Sequence, residues 1–346
     1  MASTPNTIMH TGTTSDASQG TLSTMANVYV VAKMLIRALP YLVFEKFGQA
    51  YPLPTKSTKT AKFRRFESLD ATPTELTEGV TPTAQTFTVT DIEATVHQYG
   101  NLVTMTDVLL DTNDSPVMEQ VTQIVGEQAA ETVENMRIGV LLGGTNVEYA
   151  NGASRAEVNT PISLPLQRRI TRKLKNQKAR MITDSIKSTP RFYTESVAPC
   201  FVAVCHPDCE ADIRSMPHFI DVKDYGNAGP WENEIGAVEG VRYLFTTLMK
   251  SWPDAGGNKT NAAGDTMVST TGTKADVYPI LFLAKDAYGL VPLKGAESLT
   301  PVIINPSHTE SDPLAQRAHV AWKTMQTCVI LNQAWMVRAE VAVTAY

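Results

Sequence analysis

The chain has 346 residues, 43% of them hydrophobic and 19% charged, with a formal net charge of −5. That length supports a sizeable core, organised as two subdomains rather than one. The mildly acidic balance excludes a general nucleic-acid binder, which would be strongly basic, and apolar runs such as Val197–Cys205 fall far short of a membrane span.

Met1–Gly20 has neither a basic n-region nor an apolar h-region, so a soluble cytosolic product with no membrane attachment is expected. Met1 to about Thr24 is almost all Ser, Thr, Asn, Gly and Ala, a segment that orders only when partner chains hold it. Val28, Val31, Leu35, Leu39 and Leu42 fall at helical spacing and predict a helix over Val28–Phe47, kinked or broken at Pro40.

A long excursion follows, from Lys56 to about Asp107. Lys59–Glu67 and Phe87–Val96 read as two extended ribbons joined by the polar tip Ala71–Gln85. Few large apolar side chains are available to bury there. A compact domain rarely carries a hairpin of that size unless it makes its core with a neighbouring molecule.

Tyr99–Leu110 reads as extended, and Ser115-Pro116 as a helix start with a hydroxyl N-cap and proline at the first helical position. Val117, Val121, Ile124, Gln128, Thr132 or Val133, Met136 and Val140 then step by threes and fours toward Leu142, where Gly143-Gly144 stops the helix. A second helix is predicted over Leu164–Lys187, with Arg168, Arg169, Arg172, Lys173, Lys175, Lys178 and Arg180 on its polar side. Beyond it come a buried strand at Phe201–Val204, a short helix from His206-Pro207-Asp208 through Ile213, and a turn plus strand at Ile235–Thr247. Gly256–Lys274 reads as a loop and Tyr278–Ala284 as a strand. A helical stretch near Ala315–Trp322 and strands at Thr327–Leu331 and Ala334–Val343 close the chain. The fold class is mixed α+β, with the first and last thirds folding against one another.

Cys200, Cys205, His206 and Cys209 crowd one stretch, and Cys205-x-x-x-Cys209 offers two zinc ligands from one turn. A zinc module needs a second pair, and Cys328 and His319 are distant singles, so buried structural cysteines are the favoured reading. A soluble metal-dependent enzyme centred on Cys205, His206 and Cys209 is the rival. No hydrolase elbow, zincin helix or phosphate-binding loop is present, and no cofactor is expected.

The first ribbon is basic (Lys56, Lys59, Lys62, Arg64, Arg65), and the long helix carries Glu119, Glu127, Glu131 and Glu134 on what read as its polar sides. A row of ion pairs between subunits would set register and steer assembly. The candidate inter-subunit contacts are therefore Lys62, Arg64 and Arg65, with Glu75 and Glu78 at the tip and Glu127, Glu131 and Glu134 on the helix. Arg168, Arg169, Arg172 and Lys173 are candidate DNA-facing cations, weighed against a solvated or salt-bridged face, which is the commoner fate of charge runs.

An ordered set of motifs resembles the major capsid proteins of tailed bacteriophages, in the branch typified by the coat protein of phage N4. The set comprises Tyr41–Gly48, Lys62-Phe63-Arg64-Arg65-Phe66, Leu76-Thr77-Glu78-Gly79-Val80-Thr81-Pro82, Gln98-Tyr99-Gly100 and Thr106-Asp107. It continues with Val204-Cys205-His206-Pro207-Asp208, Asp212-Ile213-Arg214, Ile235–Arg242, Trp322-Lys323 and Arg338-Ala339-Glu340. The likeness runs from about residue 26 to the end.

The resemblance implies an HK-97-type capsid fold. Its parts would be an N-terminal arm (1–27), a helix and connection (28–55), an E-loop (56–98) and a P domain (99–160) with a spine helix (115–142). An A domain (161–313) and C-terminal strands returning to the P and A domains (314–346) would complete it. It further implies a non-enzymatic shell of hexamers and pentamers enclosing double-stranded DNA non-specifically, assembled in the host bacterial cytoplasm. Scaffolding, portal and decoration proteins would be separate partners. An encapsulin-like compartment shell with protein cargo is the alternative within binding proteins.

Overall fold

The long amphipathic run after the hairpin forms the helix its spacing predicts, and two mixed sheets are built around it. The computed structural model describes residues 24–25 and 42–346, apart from 57, 68, 74, 77, 80, 82, 83, 113, 114, 184, 189–193, 197, 198, 226–229, 294–298 and 309–311. The expected N-terminal arm, except Thr24–Met25, and the expected helix up to residue 41 lie outside the described residues.

The first part of the chain comprises β1 (Thr24–Met25), β2 (Gln49–Ala50), β3 (Thr60–Phe66), β4 (Val89–Thr95), β5 (His97–Thr106), α1 (Asp107–Thr112), β6 (Ser115–Pro116) and α2 (Val117–Leu142). The middle comprises β7 (Val147–Tyr149), α3 (Leu164–Asn176), β8 (Ser185–Ser188), β9 (Thr194–Ser196), β10 (Phe201–Cys205) and α4 (Glu210–Arg214). The remainder is β11 (Phe219–Asp221), β12 (Glu234–Val238), β13 (Val241–Phe245), β14 (Tyr278–Leu283), β15 (Tyr288–Pro292), β16 (Leu299–Ile304), β17 (Arg317–Ile330) and β18 (Met336–Val341).

A seven-stranded sheet runs β11-β12-β13-β10-β14-β18-β7. β10 is parallel to β13 and β18 to β7, and the other neighbours are antiparallel. β10 reads as one apolar run because both of its faces are covered. Phe201, Ala203 and Cys205 pack with Leu166, Ile170 and Leu174 of α3, whereas Val202 and Val204 pack with Ile138 and Leu141 of α2 and with Val43 and Phe44. β12 and β13 form a hairpin whose Glu239-Gly240 turn has positive φ at both residues, the geometry that matches strand twist.

The second sheet has the order β16-β17-β15-β2, with β5 also paired to β17. Ala318, Val320 and Trp322 of β17 meet Met105 of β5 and Val117, Val121, Val125 and Ala129 of α2. At 26 residues, α2 spans about 39 Å.

Several local expectations give way to tertiary context. Residues 42–47 are not helical; they form turns leading into β2. Asp107–Thr112 is a helix where extended chain was expected, and Ser115–Pro116 pairs in parallel with Thr24–Met25, so α2 begins at Val117. The helix predicted to Lys187 stops at Asn176. Lys178 turns left-handed (φ 56°), its N–H donates to Lys175 O and that of Ala179 to Leu174 O, a Schellman ending without the usual glycine. The helix expected near Ala315–Trp322 is instead the start of β17, whose inward residues alternate from Ala318 to Cys328.

Inside this framework Glu134 is wholly buried. Its Oε1 accepts the amides of Val43 (2.8 Å) and Phe44 (2.7 Å), and its Oε2 faces Arg137 Nη1 at 3.2 Å. Arg137 also donates to Gln326 Oε1 on β17 at 3.3 Å, and Tyr288 donates to Phe44 O. Burial pushes the Glu134 carboxyl above the usual range, opposed by Arg137 and the two amides. Glu134→Ala removes the buried partner of Arg137 and leaves two amide donors without their acceptor, so denaturant titration of the soluble chain should show a loss of about 3–5 kcal/mol. A group with a raised native pKa contributes stability below its unfolded pKa and loses it as pH rises through the native value. The stability gap between the parent and Glu134→Gln should therefore narrow as pH rises from the ordinary glutamate pKa through the raised one.

Candidate assembly surfaces

The hairpin has a rooted half and a bare half. β3 and β4 pair antiparallel from Thr60↔Thr95 to Phe66↔Val89. Alternation puts Ala61, Phe63 and Ala94 toward the body, where they pack with Leu53, Val96, Val291, Met325 and Val329. Beyond Arg65 the support ends. Phe66 and Phe87 are 64% and 67% exposed with ring centroids 6.1 Å apart, and Leu69 and Leu76 of the tip are exposed as well. The tip motif runs from Leu76 to Pro82, and its residues 77, 80 and 82 lie outside the described residues.

The charged ribbon is paired within its own hairpin. Arg64 clasps Asp91 through Nε (2.9 Å) and Nη2 (3.2 Å), and Lys62 reaches Glu93 at 3.1 Å and Asp91 at 3.4 Å. Arg65 holds Glu67 at 2.6 Å, and Thr90 donates to the same carboxylate at 3.0 Å. The Arg64 guanidinium holds the Asp91 carboxyl below its usual range, and Arg65 does the same for Glu67. Directly opposed cross-strand charges meet before any neighbour can compete. The expectation that Lys62, Arg64 and Arg65 pair with a helix of another subunit therefore meets cations that already have partners. The sequence carried the signal: Lys62-x-Arg64 faces Asp91-x-Glu93 once the ribbons are put in register.

On α2, Glu127 and Glu131 are half-buried. Glu134, expected on a polar side, lies inside the subunit, because the amides of Val43 and Phe44 need an acceptor there. Glu75 and Glu78 are exposed at the hairpin tip.

The basic face of α3 is also partly committed. Arg168 forms a two-pronged pair with Glu239 across to the β12–β13 turn, while Arg169 (3.0 Å) and Lys173 (2.8 Å) share Glu148 of β7. These three fasten α3 to the sheet. Arg172, Lys175, Lys178 and Arg180 are exposed.

The cysteine cluster takes its structural reading. Cys200, Cys205, Cys209 and Cys328 are free and buried, and burial pushes the Cys200 and Cys328 thiols up to about 12 and raises those of Cys205 and Cys209. His206 caps the turn that follows β10, its Nδ1 accepting Asp208 N–H at 3.2 Å. Among the described residues no group of three or more His, Cys, Asp and Glu side chains is placed to hold a metal ion. An aromatic disulfide reagent at mildly alkaline pH should therefore label none of the four thiols in the native chain and all four in denaturant.

A family model described as phage capsid protein matches residues 89–279, more than half of the chain. No curated protein sequence matches it. Among solved structures, the capsid of Ralstonia phage GP4 is similar over 95% of this chain and 96% of that one, with 12% identity and a TM-score of 0.65. The cyanophage Pam1 capsid asymmetric unit is similar over 98% and 100%, with 14% identity and a TM-score of 0.61. The head of Helicobacter pylori bacteriophage KHP40 is similar over 85% and 87%, with 9% identity and a TM-score of 0.57.

Proposed function

The chain belongs to the phage capsid protein family, and we propose that its copies close an icosahedral shell by exchanging extended elements with their neighbours. It is a major capsid protein, a structural component of the virion capsid that assembles with its own kind, and not an enzyme. Its α+β fold is of the HK-97 type.

In this reading residues 56–98 are the E-loop, α2 is the spine helix of a P domain, and 161–313 form the A domain that gathers subunits around each capsomer. The contrast along the hairpin carries the reading. A root buried against Leu53 and Val291 supports a distal half whose Phe66 and Phe87 stay open to solvent. Aromatic surface of that kind gains about 25 cal/mol per Å² when a neighbour covers it. Many such modest contacts per copy add up to a closed shell through avidity.

The shell would consist of hexamers and pentamers around double-stranded DNA in a tailed phage, assembled in the host cytoplasm with separate scaffolding, portal and decoration proteins. The motifs from Leu76 to Asp107 favour the N4-like branch.

The expressed full chain should sediment as large particles that appear as closed heads in negative stain. Trimming residues 71–85 should leave a folded, soluble chain with the parent's circular dichroism that closes no shells. Normal heads from the trimmed chain would reject the exchange mechanism.

A further inference from the structure

Charge is segregated along this chain in a way that its internal ion pairs leave unresolved. From Glu67 to Met136 there are 13 carboxylates and no lysine or arginine, whereas residues 158–180 carry 7 cations and no carboxylate. Pairing within the subunit uses part of each set. Glu67, Asp91 and Glu93 meet Arg65, Arg64 and Lys62, and Arg168, Arg169 and Lys173 meet Glu239 and Glu148. Two opposite residues of charge are left at exposed positions. Asp70, Glu75 and Glu78 lie on the bare half of the hairpin, and Arg172, Lys175, Lys178 and Arg180 lie on the outer side and end of α3. Arg172 and Lys175 are three apart, so they share one face of the helix.

We propose that the tip of the hairpin of one copy, Glu67–Gln85, docks on the basic end of α3 of a neighbouring copy. This rests on the shell reading above and names the two surfaces that meet. The three carboxylates of the bare hairpin half and the four cations at the end of α3 are opposite in sign and nearly equal in number. At about 3.3 Å per residue when extended, the nine residues beyond Phe66, as far as Glu75, can span up to about 30 Å. A duplex nucleic acid would satisfy the α3 cations but leave the acidic tip unanswered, and three of the cations it would need are held by Glu148 and Glu239. A second copy of the chain answers both. The pairs sit at a rim and therefore govern register and rate of association as well as affinity.

The test uses the full-length chain and three variants: Glu75→Lys with Glu78→Lys, Arg172→Glu with Lys175→Glu, and all four together. Each reversal alone should raise the protein concentration at which shells form by about tenfold, and the fourfold variant should recover most of that loss. Parental assembly by either double variant, or no recovery in the fourfold one, overturns the docking. Normal shells from the α3 variant with weakened retention of duplex DNA in a gel shift would assign that face to nucleic acid and also overturn it. Near-UV circular dichroism of the soluble chain checks folding. Should a reversal fail to fold, Glu78→Cys with Lys175→Cys in the parent, whose own thiols are buried, gives an independent reading. Inter-chain disulfide ladders in oxidised shells support the contact, and chains that stay uncrosslinked reject it. If the unaltered chain forms no shells at all, the shell reading itself has failed, a different outcome from shells that ignore the reversals.

Discussion

The body of the subunit depends on a carboxylate that water does not reach. Glu134 sits on the inner side of α2, and only its hydrogen bonds to Val43, Phe44 and Arg137 make an ionisable group tolerable there. Through Arg137 and Gln326 the same cluster grips β17, and through Phe44 O it grips Tyr288 beside β15. Four distant pieces of sequence are thereby held in one register. An apolar substitute would fill the space but leave two amide donors unpaired, so the polar solution specifies which segment packs there. The sheet repeats the device elsewhere. Glu340 takes two 2.7 Å bonds from Arg155, which stacks on Trp252, and Glu234 gathers Tyr225, the Trp231 amide and Arg242.

This internal stitching divides the chain into a part that is finished alone and a part that is not. The two sheets, α2 and α3 bury most of their large apolar side chains within one subunit. The distal hairpin does not, because alternation that buries Ala61, Phe63 and Ala94 near the root has no body beneath it farther out. The apolar surface left open by the subunit is thereby concentrated in one slender element.

Much of this was legible in the residues. The hairpin, the long helix, β10, β14 and the short helix after His206 are each fixed by local spacing, and the ordered motifs pointed to the capsid family. What sequence missed was set by distant partners. The start of β17 resembles a helix in sequence because the apolar Ala321 sits at an outward position among the inward Ala318, Val320 and Trp322, blurring the strand alternation. Glu134 was read as a surface charge because the amides it serves lie about ninety residues away. The end of α3 was overrun because Lys178, not a glycine, takes the left-handed position. At the hairpin, the cations were visible and their opposed carboxylates were visible too, but only the strand register joined them.

One feature of β17 reaches beyond its place in the sheet. Its first half lies under α2 through Ala318, Val320 and Trp322, and its second half meets the hairpin root through Met325 and Val329. A pull on the hairpin is therefore delivered to the long helix along a single covalent strand, braced on both sides by β5, β15 and β16. Such a strand is a crossbeam: a load applied at the hairpin root reaches the inner side of α2 without passing through a loop.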